Sequence, residues 1–178
     1  MKRVRLGLNK CVALMVGMVA VTGFMHADDS VLDTRTLGVE IGAAKVQGDT
    51  LLESDHVSTG VEFGIRVGVQ SDEWRTLLSG SFYNNVDSDQ QYVKAVAQLD
   101  YFVVQDEPWK PYIGLNVGYI SYTTTTMDTG SFMYGGEVGL QYRIDDNMAI
   151  DAAYRYSFIK DATIDHVEAF VLGIDYLY

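Results

Sequence analysis

Residues Phe170–Tyr178 read F-V-L-G-I-D-Y-L-Y. Phe170, Leu172, Ile174, Tyr176 and Tyr178 share one parity, and in an extended chain a shared parity is a shared face. That face is apolar and ends in aromatics. Gly173 and Asp175 lie behind it. The same rule governs V-S-T-G-V-E-F-G-I-R-V-G-V-Q at Val57–Gln70. There Val57, Thr59, Val61, Phe63, Ile65, Val67 and Val69 alternate with Ser58, Gly60, Glu62, Gly64, Arg66, Gly68 and Gln70. One face is β-branched or aromatic, and the other is glycine plus charge.

Working outward, the pattern predicts strands over Arg35–Val46, Val57–Gln70, Trp74–Tyr83, Tyr92–Val104, Pro111–Tyr122, Phe132–Ile144, Met148–Phe158 and Phe170–Tyr178. No window after the N-terminal segment carries a helical stripe. The strand number is even, and most segments reach or exceed the roughly 9–11 residues a tilted membrane strand needs. Short connections at Ser71–Glu73, Gln105–Lys110 and Asp145–Asn147 alternate with mostly longer ones at Gln47–His56, Asn84–Gln91, Thr123–Ser131 and Ile159–Asp165. The expected fold is all-β: an eight-stranded antiparallel up-and-down transmembrane β-barrel, short turns at the periplasmic side and longer loops outside.

The N-terminus supports an exported protein. Lys2, Arg3, Arg5 and Lys10 precede an apolar run at Cys11–Phe24, and Met25-His26-Ala27 gives way to Asp28-Asp29. The run is about 14 residues, short of the roughly 20 of a spanning helix. It reads as a signal peptide over 1–27, cleaved after Ala27, with one domain over 28–178. The only cysteine, Cys11, goes with it, so no disulfide or thiolate chemistry is expected. Four basic and no acidic residues leave with the segment, taking the formal net charge from −11 to −15. Such acidity excludes nucleic acid as a partner by charge repulsion.

Alternation alone does not say which face points inward, since a soluble barrel alternates too. Glycine is poor material for a water-exposed strand face. It suits a narrow lumen, where small residues leave room for a few large charged ones. The expected lumen network therefore holds Glu40, Glu62, Asp100, Glu137, Asp151 and Asp175 against Arg66, Arg75, Lys94, Arg143 and Arg155. Isolated charges there would be costly, so each needs a partner from a neighbouring strand. Trp74, Tyr101, Trp109, Tyr142, Tyr176 and Tyr178 are expected at the periplasmic membrane interface. Tyr83, Tyr92, Tyr119, Tyr122, Tyr134, Tyr156 and Phe158 are expected at the outer one.

The terminal strand Phe170, Leu172, Ile174, Tyr176 and Tyr178 resembles the C-terminal assembly signal of bacterial outer-membrane barrels. With K-P-Y-I-G-L-N-V-G-Y at Lys110–Tyr119 and the signal peptide, the chain resembles the small eight-stranded barrels of the OmpA/OmpX type. The resemblance implies recognition by the barrel-assembly machinery through the last strand and contact with outer-membrane lipids and lipopolysaccharide. OmpA-like proteins often carry a C-terminal peptidoglycan-binding domain; here the barrel domain only is expected. It also implies cross-lumen ion pairs, for which Glu40, Glu62, Glu137, Lys94, Arg66, Arg143 and Arg155 are positions of the right type.

Beyond residue 27 the histidines are His56 and His166. A catalytic triad of His166, Ser157 and an acid at the outer rim is conceivable by topology, but His166-Val167-Glu168 lacks the His-x-Ser of lipid A deacylases. No catalytic residue, cofactor or metal site is expected. The loop acids Asp49, Glu53, Asp55, Asp87 and Asp89 match no calcium-loop spacing and read as hydrated surface. The expected function is structural or surface-interactive: membrane integrity, or adhesion to a host or surface ligand through the outer loops. A narrow pore for ions or very small solutes is the alternative. A lipid A-modifying enzyme and a soluble ligand-binding barrel rank below it.

Overall fold

A computed structural model of the chain describes residues 34–47, 58–85, 90–105, 108–123, 128–160 and 165–178. The expected signal segment, Val57, His56, the acids Asp49, Glu53, Asp55, Asp87 and Asp89, and residues 124–126 lie outside them. The strands are β1 (Thr34–Gln47), β2 (Ser58–Gln70), β3 (Trp74–Asn85), β4 (Gln90–Phe102), β5 (Trp109–Thr123), β6 (Asp128–Arg143), β7 (Met148–Ile159) and β8 (His166–Leu177). Each pairs antiparallel with the next, and β8 returns to β1 to close the barrel.

Closure is complete to the last residue. Arg35 and Tyr178 exchange both backbone hydrogen bonds, at 2.8 and 3.0 Å. Leu177 is held from the other side, where its amide reaches Asn147 O and its carbonyl accepts from Asn147 Nδ2. No edge strand is left to pair with another chain, which is what lets a sheet enter hydrocarbon.

The turns connecting β2–β3 and β6–β7 use local side chains. Ser71 Oγ accepts from the Trp74 amide at 3.1 Å. Asp145 Oδ1 accepts from the Asn147 amide at 2.8 Å, an Asx turn. Both prolines, Pro108 and Pro111, sit where a missing N–H does least harm, before and just inside β5. Several strands start earlier than their patterning predicts, while β4 ends at Phe102 rather than Val104 and β6 at Arg143 rather than Ile144. β6 starts at Asp128 rather than Phe132, β4 at Gln90 rather than Tyr92, and β5 at Trp109 rather than Pro111. The polar, β-prone residues flanking these connections pair as strand and shorten the loops.

Alternation places Leu37, Val39, Ile41, Phe63, Ile65, Leu99, Ile113, Leu115, Val117, Val138, Leu172 and Ile174 on the outside, roughly half exposed or more. A water-soluble protein does not expose so broad an apolar wall. Towards the long-connection end the pattern inverts. Lys45, Thr59, Gln91 and Glu168 now point outward, while Val46, Ile120, Met133, Ile159 and Val167 turn inward and are buried. That is the distribution of a soluble barrel, so the chain marks on its own wall where lipid ends and water begins.

Leu115, on the middle of β5, is 69% exposed on this wall. Leu115→Arg is expected to lower barrel stability by about 2–4 kcal/mol, the cost of a cation near the bilayer midplane. Reversible denaturant unfolding in lipid vesicles measures it.

Candidate functional site

The lumen is the most chemically organised part of the molecule. Glycines on the inward face make room, and long charged or aromatic side chains from other strands fill it. At Gly173 of β8, a Cβ would run into the guanidinium of Arg66 from β2. At Gly139 of β6, it would run into the Tyr112 ring of β5. These two glycines are seats for groups that cross the lumen.

Arg66 is the centre of the first charge layer. Its Nε donates to Asp175 Oδ1 at 2.7 Å and its Nη2 to Asp175 Oδ2 at 2.8 Å, a bidentate pair reaching over β1 from β2 to β8. Its Nη1 donates to Asp151 Oδ1 at 3.1 Å. Arg75 of β3 takes the other oxygen of Asp151 at 2.9 Å and donates through Nε to Asp100 Oδ2 at 2.8 Å. Tyr112 Oη donates to Asp151 Oδ1 at 3.0 Å, and its ring lies 4.5 Å below the Arg75 guanidinium carbon. Every one of these side chains is at most 2% exposed. Charge-assisted and bidentate bonds of this kind are the strong ones, and here no bulk water competes.

Two further pairs lie towards the long-connection end. Arg155 Nε donates to Glu137 Oε2 at 2.7 Å, with Glu40 Oε1 3.7 Å from its Nη1. Lys94 Nζ sits 2.8 Å from Glu62 Oε2, and Tyr92 Oη donates to the same oxygen at 2.7 Å. Tyr92 stacks flat on Tyr83 at 4.4 Å. Above them an apolar cap of Ala44, Val46, Ile120, Met133, Ile159 and Val167 is buried inside the barrel. At the turn end, Gln70 and Gln141 exchange two amide hydrogen bonds across the lumen, at 3.1 and 3.0 Å.

Of the eleven expected lumen charges, ten are buried and each is ion-paired. Arg143 is not brought in. It is half-buried at the turn end of β6, and among the described residues it makes no ion pair. Partners come only in part from adjacent strands. Arg75 with Asp100 and Glu137 with Arg155 are register neighbours, whereas Arg66 and Glu62 reach beyond the next strand.

Tyr83 and Tyr92 correct the expectation of an outer aromatic rim. They face inward and are fully buried, because their parity is that of Ser81 and Lys94. Trp74, Tyr101, Trp109, Tyr176 and Tyr178 stand exposed on the outer wall at the turn end, and Tyr142 packs there against Trp109 at 4.3 Å. The terminal residues Phe170, Leu172, Ile174, Tyr176 and Tyr178 form one outward ribbon.

Sequence reasoning missed Tyr112 and Lys110, both inward-facing and buried. Their parity with Gly114 carried the signal, and starting the strand at Pro111 hid Lys110. The triad suggested by topology is not assembled. Ser157 points into the lumen and donates to Asn116 at 2.8 Å, whereas His166 lies on the outer face, stacked on Tyr156. A polar, charge-filled lumen inside an apolar wall is also the reverse of a soluble ligand-binding barrel.

A closed eight-stranded barrel with an apolar wall, interface aromatics and a paired-charge interior is an outer-membrane β-barrel. Residues 11–176 match the family described as outer membrane protein beta-barrel domain, and the chain belongs to that family. Among solved structures, neisserial surface protein A (NspA) is 22% identical with a TM-score of 0.63, covering 80% of this chain and 97% of that one. Ail, the attachment invasion locus protein of Yersinia pestis, solved in complex with the heparin analogue sucrose octasulfate, is 17% identical with a TM-score of 0.55, covering 82% and 99%. The N-terminal barrel domain of Pseudomonas aeruginosa OprF is 17% identical with a TM-score of 0.56, covering 79% and 97%. At these identities the likeness is one of fold. No curated protein sequence matches the chain.

Arg75→Ala would leave Asp100 and Asp151 buried beside a lost cation, and is expected to cost about 3–5 kcal/mol of stability. Lys110→Ala, whose partner Asp72 is 85% exposed on its side chain, is expected to cost less than about 1 kcal/mol as an ion pair. Parallel denaturant titrations of the two refolded variants measure the contrast.

Proposed function

We propose that this protein is a closed, non-enzymatic barrel of the outer membrane, and that its work is done on its lipid-facing wall and outer loops. Membrane integrity and adhesion are the roles this reading covers. The observation that carries it is the state of the lumen. Paired charges fill its middle, an amide pair crosses the turn end, and an apolar cap fills the other end. Conduction needs continuous water or weakly held sites, and a strongly paired interior with an apolar constriction disfavours both.

In this reading residues 1–27 are removed on export. Short turns lie in the periplasm and the longer connections outside. The ribbon from Phe170 to Tyr178 presents the last strand to the assembly machinery. Trp74, Tyr101, Trp109, Tyr142, Tyr176 and Tyr178 sit at headgroup level, where amphipathic rings are favoured. Lipid and lipopolysaccharide are the constant partners.

Charge narrows the class of any further surface partner. The outer connections carry Asp49, Glu53, Asp55, Asp87, Asp89, Asp161 and Asp165 against Lys160. Ail is described with a polyanionic heparin analogue. An acidic rim of this kind repels polyanions and favours basic partners or contacts bridged by divalent cations.

Purified protein without residues 1–27, refolded into a planar bilayer, is expected to pass no steady current. A reproducible ion-selective current whose size changes in Arg66→Ala would move the function to the lumen and make the narrow-pore reading the better one.

A further inference from the structure

The lumen charges form a nearly continuous ring, and one of its links joins like to like. Arg66 bonds Asp151, Asp151 bonds Arg75, and Arg75 bonds Asp100. On the other side Glu137 bonds Arg155, and Glu40 lies 3.7 Å from Arg155 and 3.8 Å from Arg66. Among the described residues no cation is ion-paired with both Asp100 and Glu137. β4 and β6 flank β5 here, with Asp100 and Glu137 both register partners of Gly114. Both carboxyl side chains lean over the missing Cβ of that glycine, Asp100 with its Oδ1 and Glu137 with its Cγ.

Two carboxylates have only acceptors, so a hydrogen bond between them requires a proton. The remaining bonds say where it sits. Asp100 gives Oδ2 to Arg75, and Glu137 gives Oε2 to Arg155. Asp100 Oδ1 is buried and no donor points at it. The lumen holds six buried acids, Glu40, Glu62, Asp100, Glu137, Asp151 and Asp175, against five buried cations, Arg66, Arg75, Lys94, Lys110 and Arg155. An excess of buried negative charge is relieved by taking up a proton where two carboxyls are closest.

We propose that Asp100 and Glu137 are a proton-binding site: one proton shared across Gly114, closing the ring of lumen charges. Arg75 on β3 and Arg155 on β7 bond the pair; beyond these arginines lie Asp151 on β7 and Glu40 on β1, and beyond those Tyr112 on β5, Arg66 on β2 and Asp175 on β8. A metal ion fits less well. Among the described residues no group of three His, Cys, Asp or Glu gathers to hold one. The shared proton does not depend on the role proposed above, since a conducting barrel would need it equally.

Infrared spectroscopy of the barrel refolded in lipid at neutral pH tests this with the proton itself as the probe. The wild type is expected to show the carbonyl stretch of one protonated, buried carboxylic acid, shifted in D2O. The band is expected to vanish in Asp100→Asn and in Glu137→Gln. Each variant leaves one carboxylate beside its own arginine and an amide to donate in place of the proton. Asp72→Asn, on an exposed turn, is expected to keep it. Heat-modifiable gel mobility verifies that each barrel has folded, and either carboxyl variant alone suffices. No such band in the wild type, or a band that survives either substitution, overturns the proposal.

Discussion

The bidentate bond from Arg66 to Asp175 is the interaction on which the rest of the interior depends. It joins the second strand to the last one across the first, and so spans the seam where the barrel closes. A guanidinium in that position needs acids on β7 and β8, a glycine at position 173 to lie on, and a second arginine to share Asp151. Each requirement constrains another residue in turn. Arg75 then needs Asp100, and Tyr112 lies under its guanidinium face. The lumen is a network in which every large group fixes the size and sign of its neighbours.

This explains the glycine content better than flexibility does. In an eight-strand barrel the interior is just wide enough for side chains. A residue long enough to cross it must find a position without a side chain opposite. The inward glycines of β5, β6 and β8 are those positions. The wall has the opposite demand, since lipid rewards large apolar and aromatic groups. One alternation therefore satisfies two solvents, and its inversion beyond Phe170 and Ala43 marks the change from lipid to water on the outside.

Much of this was legible in the sequence. Period-two alternation in segments such as Val57–Gln70 gives strand number, face and the membership of ten lumen charges, because parity is a local property. Partner choice was not legible. Glu62 meets Lys94, and Arg66 meets Asp175, through the reach of side chains across intervening strands. Tyr83 and Tyr92 were misplaced because an aromatic near a strand end suggests a membrane interface, while their parity puts them inside. The apolar cap was hidden for the same reason: Val46, Ile120 and Met133 look like continuations of an apolar wall until the register shows them turned inward. The family assignment and the fold likeness to NspA and OprF agree on the barrel, and the lumen's detailed pairing belongs to this chain's own residues.

The lumen charges act as a coupled network and not as separate residues tolerated in a small space. A double-mutant cycle on Arg66→Ala and Asp175→Ala, read as denaturant unfolding free energies in lipid, measures this directly. Strong non-additivity is expected, a coupling energy of roughly 1–3 kcal/mol, because either single change strands the other charge. Effects that add to within about 0.5 kcal/mol would contradict it, and the bond across the closing seam would then be a consequence of the fold rather than one of its causes.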